Sequence, residues 1–487
     1  MTAKKMQKKK KTTKRKKRIR SREYSNIMLL FTGIFVLMIG YLVFFQVTKS
    51  RETINNPYNA RLDTFEKRVV RGNILACDGQ VLAYTKVAED GTETRYYPFD
   101  CTFAHVLGYS DYGKTGIEEM GNFQLLTSNA YFVEKFINEL KEQKNIGDNL
   151  VTTLDVDLQT AAHDALGDQK GAVVVLEAAT GNVRALVSKP DYDPGLVRSE
   201  WSRLSTSQDS ILLNRAMQGL YPPGSTFKTV TLLEYLREHQ FQDESYSYLC
   251  KGKVLVGDSS ISCYHGISHG ELDLKLAYGK SCNSAFADMG RYLNDRLFRR
   301  LADDLLFDSE LPLSFPYSQS SFKLKSSDSE ALHMMTAIGQ GDTLVTPMHM
   351  AMITAAIAND GILMVPRFLD RTESHTGSTV VERYPVTEYG RLLPSEEAAV
   401  LQEYMRAVVE SGTATSLQSD QYVVAGKTGT AEYSSDKKKS HAWFTGYVSG
   451  DKPDLVVCIL VESAGSSSEY AVPAARKIFD AYYGKEL

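Results

Sequence analysis

The longest apolar stretch of the chain lies near its amino terminus. Residues Ile27 to Phe45 form a run of 19 residues without a charged side chain, in which Thr32 is the one plainly polar residue. As a helix this run would span roughly 28 Å, close to the thickness of the hydrocarbon core of a bilayer. A cleaved signal peptide usually has a shorter apolar stretch and a small-residue cleavage site. The pattern therefore predicts an uncleaved transmembrane anchor over residues 26–46.

Two pairs of apolar runs further along the chain predict β-hairpins. Ala172 to Leu176 and Val183 to Val187 are separated by a Thr-Gly-Asn sequence that is typical of tight turns. Ala442 to Val448 and Leu455 to Val461 form a second pair near the carboxyl terminus. Helical spacing occurs in three further segments, 157–166, 227–236 and 474–483. This arrangement predicts an α+β domain over residues 151–487, built on an antiparallel sheet flanked by helices.

The segment between the anchor and this domain has a different character. Residues 47–150 are polar and mixed, and their short strand-like pieces are separated by turn signals such as Cys77-Asp78-Gly79. One helix is expected, at Tyr131 to Gln143. The pattern predicts a separate, β-rich domain.

Charge is distributed very unevenly along the chain. The formal net charge is only −3, but the first 25 residues hold 13 of the 56 Lys and Arg and one of the 59 acidic residues. By the positive-inside rule, this basic tail predicts a cytoplasmic amino terminus and an extracytoplasmic body. We expect the tract Lys4 to Arg22 to be solvated and disordered, and to set orientation in the membrane. The acidic body argues against nucleic acid as a partner.

The six cysteines are too few and too scattered for a disulfide framework. They are Cys77, Cys101, Cys250, Cys263, Cys282 and Cys458. Cys250 and Cys263 flank a segment that is expected to be a hairpin or a loop, and a bridge between them stays open at this stage. No Cys/His group has the spacing of a zinc site, and no His lies in an HExxH pattern. We expect no metal and no other cofactor.

The first of three motifs that carry candidate chemistry is Ser225-Thr226-Phe227-Lys228. It follows a Tyr-Pro-Pro-Gly turn and opens an apolar helix. Positions i and i+3 share a helix face, so Lys228 should lie over the Ser225 hydroxyl. A serine hydroxyl is a weak nucleophile unless a base removes its proton, and a lysine can be that base only when it is neutral. Taken alone, the pattern is also typical of an ordinary surface helix.

The other two motifs are Ser281-Cys282-Asn283 and Lys427-Thr428-Gly429-Thr430. The first places a hydroxyl and an amide on one side of an otherwise apolar segment, although a helix cap or an Asx turn has the same pattern. The second follows apolar residues and predicts a strand whose glycine lets a ligand approach the backbone closely.

In this order, the three motifs resemble those of the penicillin-recognising serine acyltransferases. Further matching segments are Gly339-Gln340-Gly341 and Trp443-Phe444-Thr445-Gly446-Tyr447, so the resemblance covers nearly everything after the anchor. Arg71-Gly72-Asn73-Ile74 and Gly116-Ile117-Glu118 resemble the non-catalytic pedestal of the class B penicillin-binding proteins, which would occupy residues 47–150. The chain is identified as similar to this class.

The resemblance implies a D,D-transpeptidase that cross-links peptidoglycan stem peptides and is acylated by β-lactams. Ser225 would be the nucleophile and Lys228 its general base. Ser281 would pass a proton to the departing D-alanine amine. Asn283 would bind the substrate amide and orient Lys228, and Lys427 would supply a positive charge that favours neutral Lys228.

The resemblance also assigns the substrate-binding strand. Thr428 and Thr430, on either side of Gly429, would hold the carboxylate of the stem peptide or the equivalent group of a β-lactam. The backbone N–H groups of Ser225 and Thr430 would form the oxyanion hole. A stem peptide in extended conformation could pair alongside this strand.

Other interpretations share parts of the pattern. A D,D-carboxypeptidase has the same acylation step but uses water as the acceptor. A β-lactamase or a β-lactam sensor has the same nucleophile, but neither normally combines an anchor with a pedestal. An inactive scaffold that binds wall enzymes is a further interpretation, although all three motifs are intact.

The resemblance further implies a partner enzyme. The 179 residues between Phe45, the end of the apolar run, and Ser225 leave too little room for a glycosyltransferase domain. We therefore expect the glycan to come from a multi-spanning polymerase of the shape, elongation, division and sporulation family. The sequence does not distinguish among elongation, division and sporulation as the process in which the enzyme acts.

Overall fold

The computed structural model describes residues 3–48, 66–242, 244–257, 259–432, 440–450 and 454–484. The chain divides into two compact units, residues 1–63 and residues 64–487. Within the predicted pedestal domain, residues 49–65 lie outside the described part.

The amino-terminal unit contains a single described helix, Ala3–Thr48. Its 23-residue segment Tyr24–Gln46 is long and apolar enough to cross a membrane, with a mean hydropathy of 2.6 over its most apolar 18 residues, and it fits a single-pass anchor. The helix also runs through the tract Lys4 to Arg22, where we expected a disordered tail. Lys and Arg are good helix formers and this tract has no Gly or Pro, which accounts for the difference.

A five-stranded antiparallel sheet forms the centre of the larger unit, and we call it the catalytic sheet. Its strands, in spatial order, are Val423–Glu432, Ser440–Ser449, Leu455–Val461, Gly171–Glu177 and Val183–Lys189. Both hairpins expected from the sequence are therefore confirmed. The three inner strands are buried almost throughout, as expected for a sheet covered on both faces.

Helices cover the two faces of the catalytic sheet. Successive strand residues point to opposite faces. The ring of Phe444 contacts Phe479 in the carboxyl-terminal helix Ala471–Tyr483, whereas the hydroxyl of Thr445 lies 2.6 Å from that of Thr354 in helix Pro347–Ala358. These two helices therefore lie on opposite faces, and the α+β architecture is confirmed.

A second sheet, the pedestal sheet, has six strands, and two of them come from distant sequence. Its order is Val380–Arg383, Leu369–Glu373, Asn149–Thr152, Ile74–Leu75, Val81–Val87 and Glu93–Tyr96. Asn149–Thr152, which the sequence suggested as the start of the second domain, pairs in parallel with Ile74–Leu75 and in antiparallel fashion with Leu369–Glu373. A hairpin from the carboxyl-terminal half thus completes the pedestal sheet, and a boundary at residue 150 stays a prediction.

Shorter strands, helices and turns make up the rest of the larger unit. Minor strand pairs are Val69–Val70 with Asn145–Ile146, Tyr248–Cys250 with Gly270–Leu272, Lys253–Val256 with Ser259–Ser262, and Ile362–Met364 with Glu388–Arg391. The other α-helices are Ala104–Leu107, Gly116–Met120, Asn122–Leu125, Phe132–Leu140, Val156–Leu166, Val197–Ser205, Arg215–Gln218, Lys228–Glu238, Leu274–Gly279, Asn283–Gly290, Asp295–Asp304, Glu330–Ala337 and Ser395–Glu410. Short 3₁₀ turns are Asp100–Phe103, Pro194–Leu196, Gly224–Phe227, Tyr264–Gly266 and Thr415–Leu417.

A buried ion-pair cluster stabilises the pedestal. The fully buried carboxylate of Glu118 accepts from the guanidinium groups of Arg71 at 2.6 Å and Arg95 at 2.8 Å, and the Tyr97 hydroxyl donates to it at 3.2 Å. Burial by itself raises the pKa of Glu118, but the two arginines outweigh it and hold the pKa at about 2. The stabilisation is complete above the ordinary value of 4.5 and is lost as the pH falls towards 2.

Removal of this carboxylate should destabilise the pedestal strongly. Glu118→Ala leaves two buried arginines without a counter-charge, and such a loss costs about 3–5 kcal/mol. We expect a clearly lower midpoint of thermal unfolding for the full chain in detergent. Asp111→Ala, which removes an exposed partner of Arg198, is the control and should change the midpoint far less. Equal midpoints for the two variants would contradict this account.

Candidate active site

The buried side chain of Phe227 holds the turn that carries Ser225 against the protein core. Residues Gly224–Phe227 form a 3₁₀ turn that leads into helix Lys228–Glu238, one residue later than the start expected from the sequence. The fully buried ring of Phe227 contacts three other phenylalanines, at positions 298, 307 and 322. This packing fixes the turn while the Ser225 side chain lies at its surface, where the residue is 9% exposed.

Two flanking segments hold the same turn. The Gly224 N–H donates to the Gly339 carbonyl at 2.8 Å, and the Trp443 indole N–H donates to the Pro222 carbonyl at 3.1 Å. Gly224 has a φ of +53°, and a Cβ atom there would lie 2.6 Å from the Thr430 carbonyl oxygen. A side chain would therefore push the turn away from the strand that carries the third motif.

Gly429 allows the third motif to approach the nucleophile turn. It lies in the edge strand Val423–Glu432, opposite Trp443, and a Cβ atom on it would come within 2.9 Å of the Thr226 side chain and 3.1 Å of the Thr226 backbone nitrogen. The strand expected from the sequence is confirmed. Glycine at position 429 thus lets the nucleophile turn approach the strand, and the approach of a ligand to the same strand stays a prediction.

The second motif is shaped by an unusual backbone conformation. Ser281 has a φ of +53° and lies in the connection between helices Leu274–Gly279 and Asn283–Gly290. Such a conformation is rare for a non-glycine residue and is concentrated at functional sites. It places the Ser281 carbonyl, the Ser281 hydroxyl and the Asn283 amide around one ammonium group.

Lys228 donates to the second motif through three contacts. Its Nζ atom lies 2.7 Å from the Ser281 carbonyl oxygen, 3.3 Å from the Ser281 hydroxyl and 2.7 Å from Asn283 Oδ1. Asn283 in turn donates from Nδ2 to the Ser262 carbonyl at 3.0 Å. The amide is therefore held with its oxygen towards the lysine.

Lys427 reaches the same hydroxyl from the opposite side. Its Nζ atom lies 2.8 Å from Ser281 Oγ and 3.0 Å from the Thr428 carbonyl oxygen. The Ser281 hydroxyl thus joins two lysine side chains that are both fully buried. An aromatic ring lies 5.5 Å from each ammonium group, Phe286 for Lys228 and Tyr278 for Lys427.

Burial makes the proton easy to remove from this lysine pair. Desolvation lowers the pKa of Lys228 to about 7, although the nearby Cys282 and Cys263 act in the opposite direction. Desolvation and the charge of Lys228 also lower the pKa of Lys427 well below its ordinary value. Two ammonium groups this close repel each other, so one of the two lysines is readily neutral near pH 7.

One expected contact is not present in this state. Within the described part of the chain, no hydrogen bond joins the Ser225 hydroxyl to Lys228, whose ammonium group is directed to Ser281 and Asn283. Catalytic hydrogen bonds often form or tighten only when substrate is bound, so the lack of this contact does not argue against Lys228 as the base.

Sequence reasoning missed two side chains that support the motifs. The Thr413 hydroxyl lies 2.5 Å from that of Thr428, and the buried Tyr278 hydroxyl lies 2.7 Å from that of Thr229, beside Lys228. Thr413 stands in a Ser-Gly-Thr-Ala sequence, whose small polar residues are a weak signal for a close approach of two segments.

The Cys250–Cys263 bridge that stayed open is not formed. The hairpin between the two residues is confirmed as Lys253–Val256 with Ser259–Ser262. Both cysteines are free, and their sulfur atoms are 3.7 Å apart, whereas a disulfide bond is about 2.05 Å long.

Two family profiles cover most of the chain. The penicillin binding protein transpeptidase domain matches residues 171–480, which contain all three motifs. The penicillin binding protein A dimerisation domain matches residues 71–150, within the predicted pedestal.

Curated relatives match along nearly the whole length. Peptidoglycan D,D-transpeptidase PbpA of Mycolicibacterium smegmatis is 30% identical over 459 residues, covering 89% of this chain and 92% of the relative. Peptidoglycan D,D-transpeptidase MrdA of Acinetobacter baumannii is 27% identical, covering 80% of this chain and 66% of the relative.

Solved structures share the fold. The penicillin G acyl-enzyme complex of penicillin-binding protein A from M. tuberculosis has a TM-score of 0.76 and 29% identity, covering 85% of this chain and 99% of that one. The D,D-transpeptidase domain of a peptidoglycan glycosyltransferase from Eggerthella lenta has the same TM-score and identity, covering 85% of this chain and 98% of that one.

The two lysines should differ in their response to arginine. Lys228→Arg keeps the positive charge but removes the neutral amine, so acylation by a labelled penicillin should slow by about 100-fold or more. Lys427→Arg also keeps its charge and should retain more of the rate. In the wild type, the rate should rise with pH through about 7, as Lys228 loses its proton. Equal acylation rates for the wild type and Lys228→Arg would show that Lys228 is not the base.

Proposed function

The chain belongs to the penicillin-binding protein transpeptidase family, and on that premise we propose that it cross-links peptidoglycan stem peptides through an acyl-enzyme on Ser225. The observation that carries the proposal is the meeting of Lys228 and Lys427 at the Ser281 hydroxyl. Three motifs that are far apart in sequence thereby form one site beside the serine turn.

The first half of the reaction forms the acyl-enzyme. Lys228 takes the proton of the Ser225 hydroxyl. The Ser225 oxygen attacks the carbonyl carbon of the peptide bond between the two terminal D-alanines. The C–N bond then breaks, and the departing D-alanine amine needs a proton. Ser281 supplies it and is reprotonated from the lysines that share its hydroxyl. A β-lactam enters in the same way, and its ring amide is the bond that opens.

The second half transfers the acyl group to an amine. The amine of a neighbouring stem peptide attacks the ester carbonyl and gives its proton to the same relay. The ester C–O bond then breaks, and the Ser225 oxygen takes a proton back from Lys228. Water in place of that amine would give a carboxypeptidase. The acceptor is thus what separates the two activities.

The developing negative charge faces two backbone N–H groups, those of Ser225 and Thr430. The absence of a side chain on Gly224, whose Cβ would lie 2.6 Å from the Thr430 carbonyl oxygen, supports this assignment because it brings the two backbones together. Thr428, Thr430 and Lys427 would hold the substrate carboxylate.

The stem peptide would add to the catalytic sheet at its edge. Among the described strands, Val423–Glu432 pairs only with Ser440–Ser449, so its outer edge can accept an extended peptide. Backbone pairing there would align the scissile bond with the Ser225 turn.

The anchor and the tail suggest where the enzyme acts. The basic residues before the apolar segment Tyr24–Gln46 favour a cytoplasmic amino terminus and an extracytoplasmic catalytic domain. A tethered transpeptidase of this kind would act on strands made by a separate, multi-spanning glycan polymerase.

Analysis of the wall product tests this function directly. With lipid-linked glycan from such a polymerase, the full chain should give cross-linked muropeptide dimers that vanish in Ser225→Ala and with penicillin, since both block the ester. The neighbouring Thr226 is a poor substitute nucleophile because it is buried and its hydroxyl donates to the Pro223 carbonyl at 2.7 Å. Thr413→Ser, which keeps the hydroxyl beside Thr428, is the control and should still give dimers.

Two outcomes would contradict the proposal. Dimers formed equally by Ser225→Ala would exclude Ser225 as the acyl carrier. Trimmed tetrapeptides without dimers, across several polymerases and acceptor peptides, would favour the carboxypeptidase.

A further inference from the structure

A second cluster of reactive side chains lies next to the turn that carries Ser281. Three cysteine sulfurs and one imidazole nitrogen, from Cys250, Cys263, Cys282 and His269, all lie within 4.8 Å of one another. The three cysteines are buried and the histidine is half-buried. Cys282 is the middle residue of the second motif, so the cluster shares a backbone with the candidate active site.

The spacing of these atoms fits a tetrahedral metal ion. The sulfur of Cys263 lies 3.7 Å from those of Cys250 and Cys282, and the Cys250 sulfur lies 3.4 Å from His269 Nδ1. Around a tetrahedral zinc ion, with Zn–S of about 2.3 Å and Zn–N of about 2.0 Å, adjacent ligands lie about 3.8 Å (S to S) and about 3.5 Å (S to N) apart. These three observed edges match those of such a tetrahedron, and the other three are no longer than 4.8 Å.

The same spacing argues against a disulfide. Cys263 is equally distant from its two neighbours, so the geometry does not single out a pair. A disulfide between any two of the sulfurs would also leave the third cysteine and His269 without a role in the cluster. Three thiols and an imidazole that converge on one point are the ligand set of a structural zinc site.

Hydrogen-bond donors surround the sulfurs. The Ser284 hydroxyl lies 3.2–3.3 Å from all three, the Gly252 N–H donates to Cys250 at 3.4 Å, and the Ala285 N–H donates to Cys282 at 3.5 Å. Donors of this kind stabilise thiolate charge and orient metal ligands.

We propose that Cys250, Cys263, His269 and Cys282 bind one Zn²⁺ ion in a closed, structural site. The ion would join the strand Tyr248–Cys250, the end of the hairpin at Cys263 and the loop at His269 to the turn that carries Ser281 and Asn283. On binding, the thiols lose their protons to solvent and the imidazole binds through neutral Nδ1. The proposal does not depend on the catalytic role of that turn.

Sequence spacing did not reveal this site, which is why we expected no metal. The four ligands are spread between residues 250 and 282, and no two of them form a Cys-x-x-Cys or His-x₃-His pair. Only the folding of the hairpin back onto helix Asn283–Gly290 brings them together.

Metal analysis of the full chain in detergent, purified without chelator, tests the proposal. We expect about one zinc per chain by plasma mass spectrometry, and at least a roughly 10-fold lower content in Cys263→Ala. Cys458→Ala, which removes a buried cysteine in the strand Leu455–Val461 outside the cluster, is the matched control and should keep its zinc. His269→Cys keeps four zinc ligands and should retain the metal.

Cobalt gives a readout that does not depend on the folding of variants. Exchange of the wild-type metal for Co²⁺ should produce thiolate-to-cobalt charge transfer and the visible bands of a tetrahedral ion, and chelation should lower the unfolding midpoint. A wild-type zinc content no higher than that of Cys263→Ala after incubation with zinc would overturn the proposal. So would peptide mapping that finds a disulfide between any two of the three cysteines.

Discussion

Two buried lysines share one serine hydroxyl, and the geometry of the catalytic face follows from what it takes to hold them there. Lys228 comes from a helix and Lys427 from an edge strand, and Ser281 lies between them in a left-handed backbone conformation. Exclusion of water makes the doubly protonated pair unfavourable and lowers the pKa of both amines. The aromatic rings of Phe286 and Tyr278 complete the low-dielectric surroundings.

The turn that carries Ser225 can approach the two lysines only because three positions around it are glycines. Gly224, Gly339 and Gly429 each lie where a Cβ atom would come within 3.0 Å of a neighbouring segment. The nucleophile turn is thereby held between the edge strand Val423–Glu432 and the segment at Gly339. The pedestal and the catalytic sheet belong to one compact unit, and the hairpin 369–383 from the carboxyl-terminal half is part of the pedestal sheet.

Local patterns in the sequence predicted the helices and strands well, but they did not predict which distant strands pair with each other. Both hairpins of the catalytic sheet and its closing helix follow from apolar periodicity and turn residues. The place of Leu369–Glu373 in the pedestal sheet does not, because a polar strand of five residues contains no information about its partner. Likewise the motif residues were found by resemblance, whereas the cysteine and histidine cluster arises from tertiary contacts between residues with no characteristic spacing.

The central claim is that this buried lysine pair activates Ser225 and no other nucleophile. Peptide mapping by mass spectrometry, after reaction of the full chain with a labelled penicillin, tests it most directly. The account predicts one adduct per chain, on the peptide that contains Ser225. A stoichiometric adduct on any other residue, or a correctly folded chain that forms none, would contradict it.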